Sequence, residues 1–446
     1  MDPIAIGLIA FLAGIVLLAL RAPIGFTLGA VAIFAIFFVL ATRTGTFMPE
    51  RAIRATASIV FSNAFDLVHS YDLSMIPLFV ALGHVAYHAG ITTRIYHAAK
   101  VWLTWLPGGV AVASIMGCGG FSAITGSSVA CASTMGRICT PEMMRMGYDN
   151  RLATASVAAG GTLGSLIPPS VLFIIYGIFT ETSISSLFLA GVLPGLLSLA
   201  GFILAVLIWV WRDPSVAPRS YERYSAGQKL EAALDAWPAV LLFLVIIGGI
   251  YGGIFTATEA AAISLAATMA IGLFQRKLTL AKIWTSSKET CLQTAAIFFI
   301  AAAAKIFVAM VALTGVAPMV VDLVSQQNLP IIPMLAVIVV IYLLLGMFLD
   351  PIGIMVLTLP LMIPLVESYG LNLIWFGVVV IKLLEIGLIT PPVGLNVFVI
   401  ANVVGKDVPI ERIFAGITRF LSIDIIVLIL IISFPVISLL LPMSMR

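Results

Sequence analysis

Apolar stretches of membrane-crossing length follow one another along almost the whole chain, and the places where they fail are informative. The first two, near 4–20 and 23–41, are divided only by "RAPIG" at Arg21–Gly25. The next stretch, "FMPERAIRATASIVF" (Phe47–Phe61), places charged and apolar residues at helical intervals, which predicts a helix lying along the membrane surface. Apolar helix resumes near 72–90. A polar linker over 211–235 then divides the chain near its midpoint, and spans near 236–252 and 257–274 open the second half. There "QRKLTLAKIWTSSKET" (Gln275–Thr290) repeats the interfacial pattern at the corresponding place.

Each half next contains a run that fits neither one crossing nor two. From Gly108 to Met144 the chain is mostly apolar but interrupted by "TGSS" (Thr125–Ser128), and from Ile331 to Val366 it is interrupted by "LDPIG" (Leu349–Gly353). About 36 residues at 1.5 Å each would make a helix of roughly 54 Å, against a hydrocarbon core of ~30 Å. Either arm alone gives roughly 25 Å. Re-entrant helical hairpins near 108–146 and 331–366 fit these lengths, with tips at Gly126–Ser128 and Asp350–Gly353. Each hairpin is followed by a helix broken at adjacent prolines. "GSLIPPSVLF" begins at Gly164 and "GLITPPVGLN" at Gly387, 223 residues later, inside runs near 150–182 and 372–404. Ser127 precedes Pro168 by 41 residues and Pro351 precedes Pro391 by 40, so tip and break recur at nearly one separation.

Basic residues orient the halves, because cytoplasmic loops hold the excess lysine and arginine. The linker carries Arg212, Arg219, Arg223 and Lys229, and the later loop carries Arg276, Lys277, Lys282 and Lys288. Two spans separate them, so both loops can be cytoplasmic. The first interfacial helix then falls outside and its counterpart inside. The expected fold is therefore all-α and polytopic, with inverted repeats over 1–210 and 236–446. Arg43, Arg51 and Arg54 lie outside in this scheme and oppose the bias.

Proline removes an amide donor and clashes with the carbonyl four residues back. Unpaired carbonyls are expensive in hydrocarbon, so irregular backbone survives there only against protein or a water-filled cavity. Two breaks in register, each matched to a small-residue tip, point to a binding site. Freed carbonyls and nearby hydroxyls are hard ligands suited to Na⁺, while half-helix N-termini favour an anion. Asp350 is an acid inside an apolar run, which marks it for function, although it can also cap the helix opening at Pro351. Ser128, Ser170 and Asn396 flank the breaks as candidate substrate contacts. For Lys382 and Glu385, at i, i+3, mutual pairing is favoured over ligand contact. Lys305 has no evident local partner.

Composition excludes a water-soluble chain. Of 446 residues, 61% are hydrophobic and 10% charged, against about 25% charged in ordinary soluble domains. Mean hydropathy is +1.17. A net charge of +3 gives no support for nucleic-acid binding. The chain opens "MDPIAIGLIA" without a basic region, so no cleaved signal peptide is expected. Cys118, Cys131, Cys139 and Cys291 lack metal spacing and read as small buried hydrophobes. His84 and His88, at i, i+4, lack the acidic context of a metal motif. "GCGGFSAITGSS" has neither a GK[ST] sequel nor a GxSxG elbow, which weighs against an enzyme. An ion channel is the other alternative, since broken helices also build pores.

"GIFTATEAAA" (Gly253–Ala262), "TGSSVACASTMG" (Thr125–Gly136), "PEMMRMGYD" (Pro141–Asp149) and the two proline motifs together resemble the large membrane subunit of TRAP transporters, the DctM type. The resemblance covers nearly the whole chain; "TATEAAA" departs at Ala257 from the commoner "TPTEAAA". It implies an elevator transporter of the bacterial inner membrane that imports organic acids, such as C4-dicarboxylates, with sodium. It further implies a periplasmic binding protein and a four-helix small subunit as partners, the latter separate because no such region opens this chain. Carried over, the first sodium site falls on Thr125, Gly126 and Ser127, with carbonyls near Gly164, Ile167 and Pro169. The second falls on Asp350, Gly387 and Thr390.

Overall fold

The structure, a computed structural model, describes residues 2–43, 47–218, 224–327 and 329–445, and every regular element among them is helical. The linker residues Arg219 and Arg223 lie outside the described residues. The first half begins with α1 (Pro3–Ala19), α2 (Ile24–Thr42) and α3 (Pro49–Val68), then a 3-10 turn (Tyr71–Ser74) leading into α4 (Met75–His88) and α5 (Ile91–Leu103). The first hairpin is α6 (Gly109–Thr125) and α7 (Ser128–Arg145), the first broken helix is α8 (Asn150–Leu166) and α9 (Val171–Thr180), and α10 (Ile184–Arg212) follows. A linker helix, α11 (Ala226–Asp235), leads into α12 (Trp237–Phe243) and, through a π turn, α13 (Gly249–Tyr251). Then come α14 (Ala257–Phe274), α15 (Leu280–Thr314) and α16 (Val316–Gln326). The second hairpin is α17 (Ile331–Gly346) and α18 (Pro351–Ser368), and the second broken helix is α19 (Leu373–Ile389) and α20 (Leu395–Val404). The chain closes with α21 (Ile410–Ser433) and α22 (Val436–Ser444). Hairpin, broken helix and long helix thus recur in the same order in both halves.

Seven helices among the described residues are long and apolar enough to cross a membrane, or nine if each of two bent pairs is one span. This is an all-α polytopic membrane protein. Its interior is occupied by the first broken helix: the Asn150–Thr180 segment is 89% buried, whereas the other spans are 39–61% buried. Small residues permit this. Along α8, "ATASVAAGGTLGS" presents little side-chain bulk, so α6, α7, α10, α19, α20 and α21 all pack against it. Its N-terminus is fixed by Asp149, whose Oδ1 accepts the Arg151 amide at 2.7 Å. Hydrogen bonds from the Arg151 guanidinium hold that carboxyl below the usual carboxylate range.

Two expectations for the interfacial segments need correction. The first extends beyond Phe61 to Val68, and α3 meets the following helical segment at 58°. Turn-forming "SYDLS" makes that bend, with Ser74 Oγ donating to the Tyr71 carbonyl at 2.6 Å. The second, over 275–290, is not a separate element. Most of it forms the opening turns of α15, a continuous helix of 35 residues. No proline or glycine lies between Leu280 and Thr314, and "AAAAK" strongly favours helix where the first half has its turn. The linker is also more ordered than its polarity implies. Ser225 and Gln228 form a capping box for α11, and Asp235 pairs with Arg94 of α5 at 3.3 Å.

A buried ion cluster ties the core together. Lys382 Nζ on α19 donates to Ser198 Oγ of α10 at 2.9 Å, to Asp424 Oδ1 of α21 at 2.5 Å and to Glu385 Oε2 at 3.3 Å. All four side chains are inaccessible to solvent. The expected i, i+3 pair is present, and two long-range partners complete it. Removing the cation would leave two buried carboxylates uncompensated, at a cost of about 3–5 kcal/mol. Lys382→Met is therefore expected to lower thermal stability sharply, and the triple variant with Glu385→Gln and Asp424→Asn to regain much of it. Unfolding of the purified proteins, followed by intrinsic fluorescence, checks both; equal losses in the two variants would refute a charge-compensation role.

Candidate cation and substrate site

At the two breaks the halves share one register. Ser127 and Asp350 are 223 positions apart, as are Gly164 and Gly387, Ile167 and Thr390, and Pro168 and Pro391. Ser127 is the N-cap of α7, its Oγ accepting the Ala130 amide at 3.4 Å. Asp350 is the N-cap of α18, its Oδ2 accepting the Ile352 and Gly353 amides at 3.1 and 3.4 Å. The cap therefore precedes the first proline by 41 residues in both halves. The spacing of 40 counted from Pro351 starts one position past Asp350, the equivalent of Ser127 within the expected tip Asp350–Gly353.

Glycine lets each hairpin reach the helix before its break. A Cβ on Gly164 would lie 2.7 Å from the Ser127 carbonyl oxygen, and one on Gly387 would lie 2.7 Å from Gly346 Cα. Gly126, with φ +62°, faces the other side of the first break, where a Cβ would lie 2.2 Å from the Pro169 carbonyl oxygen. The Gly126 carbonyl accepts the Val171 amide at 3.2 Å, so hairpin tip and the first turn of α9 satisfy each other's backbone. Both Pro–Pro peptide bonds are cis.

The structure thus brings Gly126, Ser127, Gly164 and Pro169 together. Thr125 is at the same tip, with Oγ1 donating to the Phe121 carbonyl at 3.2 Å. Ile167 ends α8 but directs its side chain into the packing around Gly195. At the second break, Asp350 opens onto a cavity of about 390 Å³ shared with Arg21, Val393 and Leu395. Gly387 is a helix-crossing residue, and Thr390 Oγ1 donates to the Ile386 carbonyl at 2.6 Å.

Each of the three substrate candidates makes a hydrogen bond within the protein, and Asn396 keeps one acceptor free. Ser128 Oγ donates to the Thr162 carbonyl at 3.1 Å and lies 2.5 Å from Ser165 Oγ, fastening α7 to α8. Ser170 is fully buried and caps α9 through the Phe173 amide at 3.4 Å. Asn396 Nδ2 donates to the Ala158 carbonyl at 3.3 Å, while its buried Oδ1 has no partner. Open space lies instead in a cavity of about 200 Å³ beside the first tip. Thr125, Ser127 and Arg137 line one side, and His84, Glu289 and Gln293 the other. His84 and His88 find in Glu289 the acid that their local sequence lacks, but no group of three or more His, Cys, Asp or Glu among the described residues is placed to hold a metal. Lys305 lines a further cavity, of about 540 Å³, with Asp72 and Glu181.

Comparison with known proteins agrees with this architecture. A family model described as "Tripartite ATP-independent periplasmic transporter, DctM component" matches residues 11–437. The chain is 32% identical over 379 residues to the C4-dicarboxylate TRAP transporter large permease protein DctM of Pseudomonas aeruginosa, covering 85% of this chain and 88% of that one. It is 32% identical over 423 residues to the sialic acid TRAP transporter large permease protein SiaM of Vibrio cholerae, covering 94% of each. Its fold is similar to that of the Alcanivorax borkumensis YdaH transporter, with TM-score 0.62, 15% identity, and 89% and 90% of the two chains covered. The chain is a multi-pass inner-membrane transporter subunit and not an enzyme.

The glycine contacts yield a direct prediction. Gly164→Ala and Gly387→Ala are each expected to destabilise by about 1–3 kcal/mol, because backbone faces the new methyl group. Gly248→Ala, with nothing within 4 Å, is expected to be neutral or slightly stabilising. Thermal unfolding of the three variants checks this; equal responses would contradict the close approach of tip and helix.

Proposed function

The chain belongs to the DctM component family of tripartite ATP-independent periplasmic transporters, and we propose that it is the large permease of a sodium-coupled organic-acid importer. The observation that carries this reading is the matched pair of breaks, each abutted by a capped hairpin tip. Hard oxygens are available at both tips. Thr125 spends its proton on the Phe121 carbonyl, which leaves its lone pairs for a cation. The Ser127 and Pro169 carbonyls lie at the Gly164 and Gly126 contacts. Asp350 receives both cap amides on Oδ2, which leaves Oδ1 for a cation. These groups suit Na⁺, and the N-termini of α7, α9, α18 and α20 favour a carboxylate nearby.

Sodium binding on both sides of the doubled site would neutralise the acid before the hairpin domain moves against α2, α3, α4 and α15. Inversion of the repeats 1–210 and 236–446 would make the outward and inward sites equivalent. The partners in this reading are a small membrane subunit, which completes the scaffold, and a periplasmic binding protein, which delivers the acid. Substrates named for the relatives, C4-dicarboxylates and sialic acid, are carboxylates of different size. At least two sodium ions would accompany each acid, and net inward positive charge would gain about 2.3 kcal/mol per 100 mV.

Reconstitution in liposomes tests the proposal. Uptake of an acid presented by its binding protein is expected only with sodium outside and with the small subunit present. An inside-negative potential set by potassium and valinomycin is expected to accelerate it. Asp350→Asn is expected to raise the sodium concentration for half-maximal uptake several-fold without loss of insertion. Sodium-independent uptake, or uptake by the large chain alone, would overturn the reading.

A further inference from the structure

We propose that Arg137 receives the carboxylate of the transported acid, in the cavity beside the first hairpin tip; this rests on the organic-acid reading above. One wall of the cavity is a single face of α7, along which Ser127, Ala130, Thr134 and Arg137 recur at helical spacing. The facing wall comes from α4 and α15 and holds the only acid among the cavity's lining residues, Glu289.

That carboxylate is engaged on its own side. Glu289 Oε2 lies 3.0 Å from His88 Nε2 and 3.3 Å from His84 Nδ1, and His84 Nε2 lies 3.0 Å from Gln293 Oε1. Arg137, by contrast, has neither an ion-pair nor a hydrogen-bond partner among the described residues. It is the one lysine or arginine lining the cavity. A guanidinium offers a planar pair of donors that matches a carboxylate, and one helical turn before it on the same wall stands the hydroxyl of Thr134.

Position and size define what fits. Thr125 and Ser127 belong both to this cavity and to the first cation site, so an acid held by Arg137 would share one cavity with the coupling ion, about three helical turns along α7. The cavity of about 200 Å³ has room for an acid of a few carbons. Its far wall supplies His84, Tyr87 and Gln293 but no basic side chain beyond His84. The ligand is therefore a small carboxylate whose other end carries hydrogen-bonding groups.

The test is thermal unfolding of the purified chain with its small subunit, at fixed sodium, titrated with lactate, succinate and gluconate. At least one acid is expected to stabilise the wild type. Arg137→Gln is expected to raise its half-saturating concentration roughly ten- to a hundredfold, with Arg137→Lys in between. Stability in sodium alone should be unchanged in both variants. If Arg137→Gln responds to the acid as the wild type does, the assignment fails and the organic-acid reading stands. If no acid stabilises the wild type, both fail. A variant that unfolds in sodium alone would give Arg137 a structural role in place of the proposed one.

Discussion

No water is available in the hydrocarbon core to pair with a free amide or carbonyl. A helix broken there must find partners in the protein or face a polar cavity. This chain breaks helices at 167–170 and 390–394 and dead-ends hairpins at 126–127 and 347–350. Much of its architecture follows from keeping those four interruptions satisfied. At the first pair, tip and break answer one another through the Gly126 carbonyl and the Val171 amide. The small-residue surface of α8 serves the same end, since it lets six helices close around the break and exclude lipid.

The two halves meet this constraint with different chemistry. The cap of the second hairpin arm is a neutral serine in the first half and a carboxylate in the second, at equivalent positions Ser127 and Asp350. A cation near Asp350 would therefore be held by charge, one near Ser127 by dipoles alone, with an anion able to approach the latter at lower electrostatic cost. The open cavities differ as well, chiefly in their hydroxyls. Beside Ser127 the lining includes Arg137, Glu289 and several hydroxyls, whereas Asp350 shares its cavity with Arg21 and otherwise mainly with apolar side chains. The halves repeat in helix order while placing different side chains at equivalent positions.

What could be read from the sequence follows the range of the interactions. The hairpins and breaks were legible because Pro168–Pro169, Pro391–Pro392 and the small-residue tips act on their own backbone. The capping role of Asp350 was legible for the same reason, since Pro351 follows it. The length of α15 was misread because polarity over 275–290 resembles an interfacial helix, although the absence of proline and glycine argued for continuity. Asp424 and Ser198 could not be assigned to Lys382 from local pattern, being 42 and 184 residues away. Glu289 and Gln293 reach His84 from more than 200 residues away. The hydrogen bonds that Ser128 and Ser170 make with the Thr162 carbonyl and the Phe173 amide could not be read from their proximity to the breaks along the chain.

The central claim is that each matched tip and break forms a cation site. Equilibrium binding of radioactive sodium to the purified chain tests this without substrate, partners or transport. The account predicts two ions per chain, of which the double variant Thr125→Ala, Ser127→Ala loses one while retaining the fold. A single ion in the wild type, or two retained in the double variant, would contradict it.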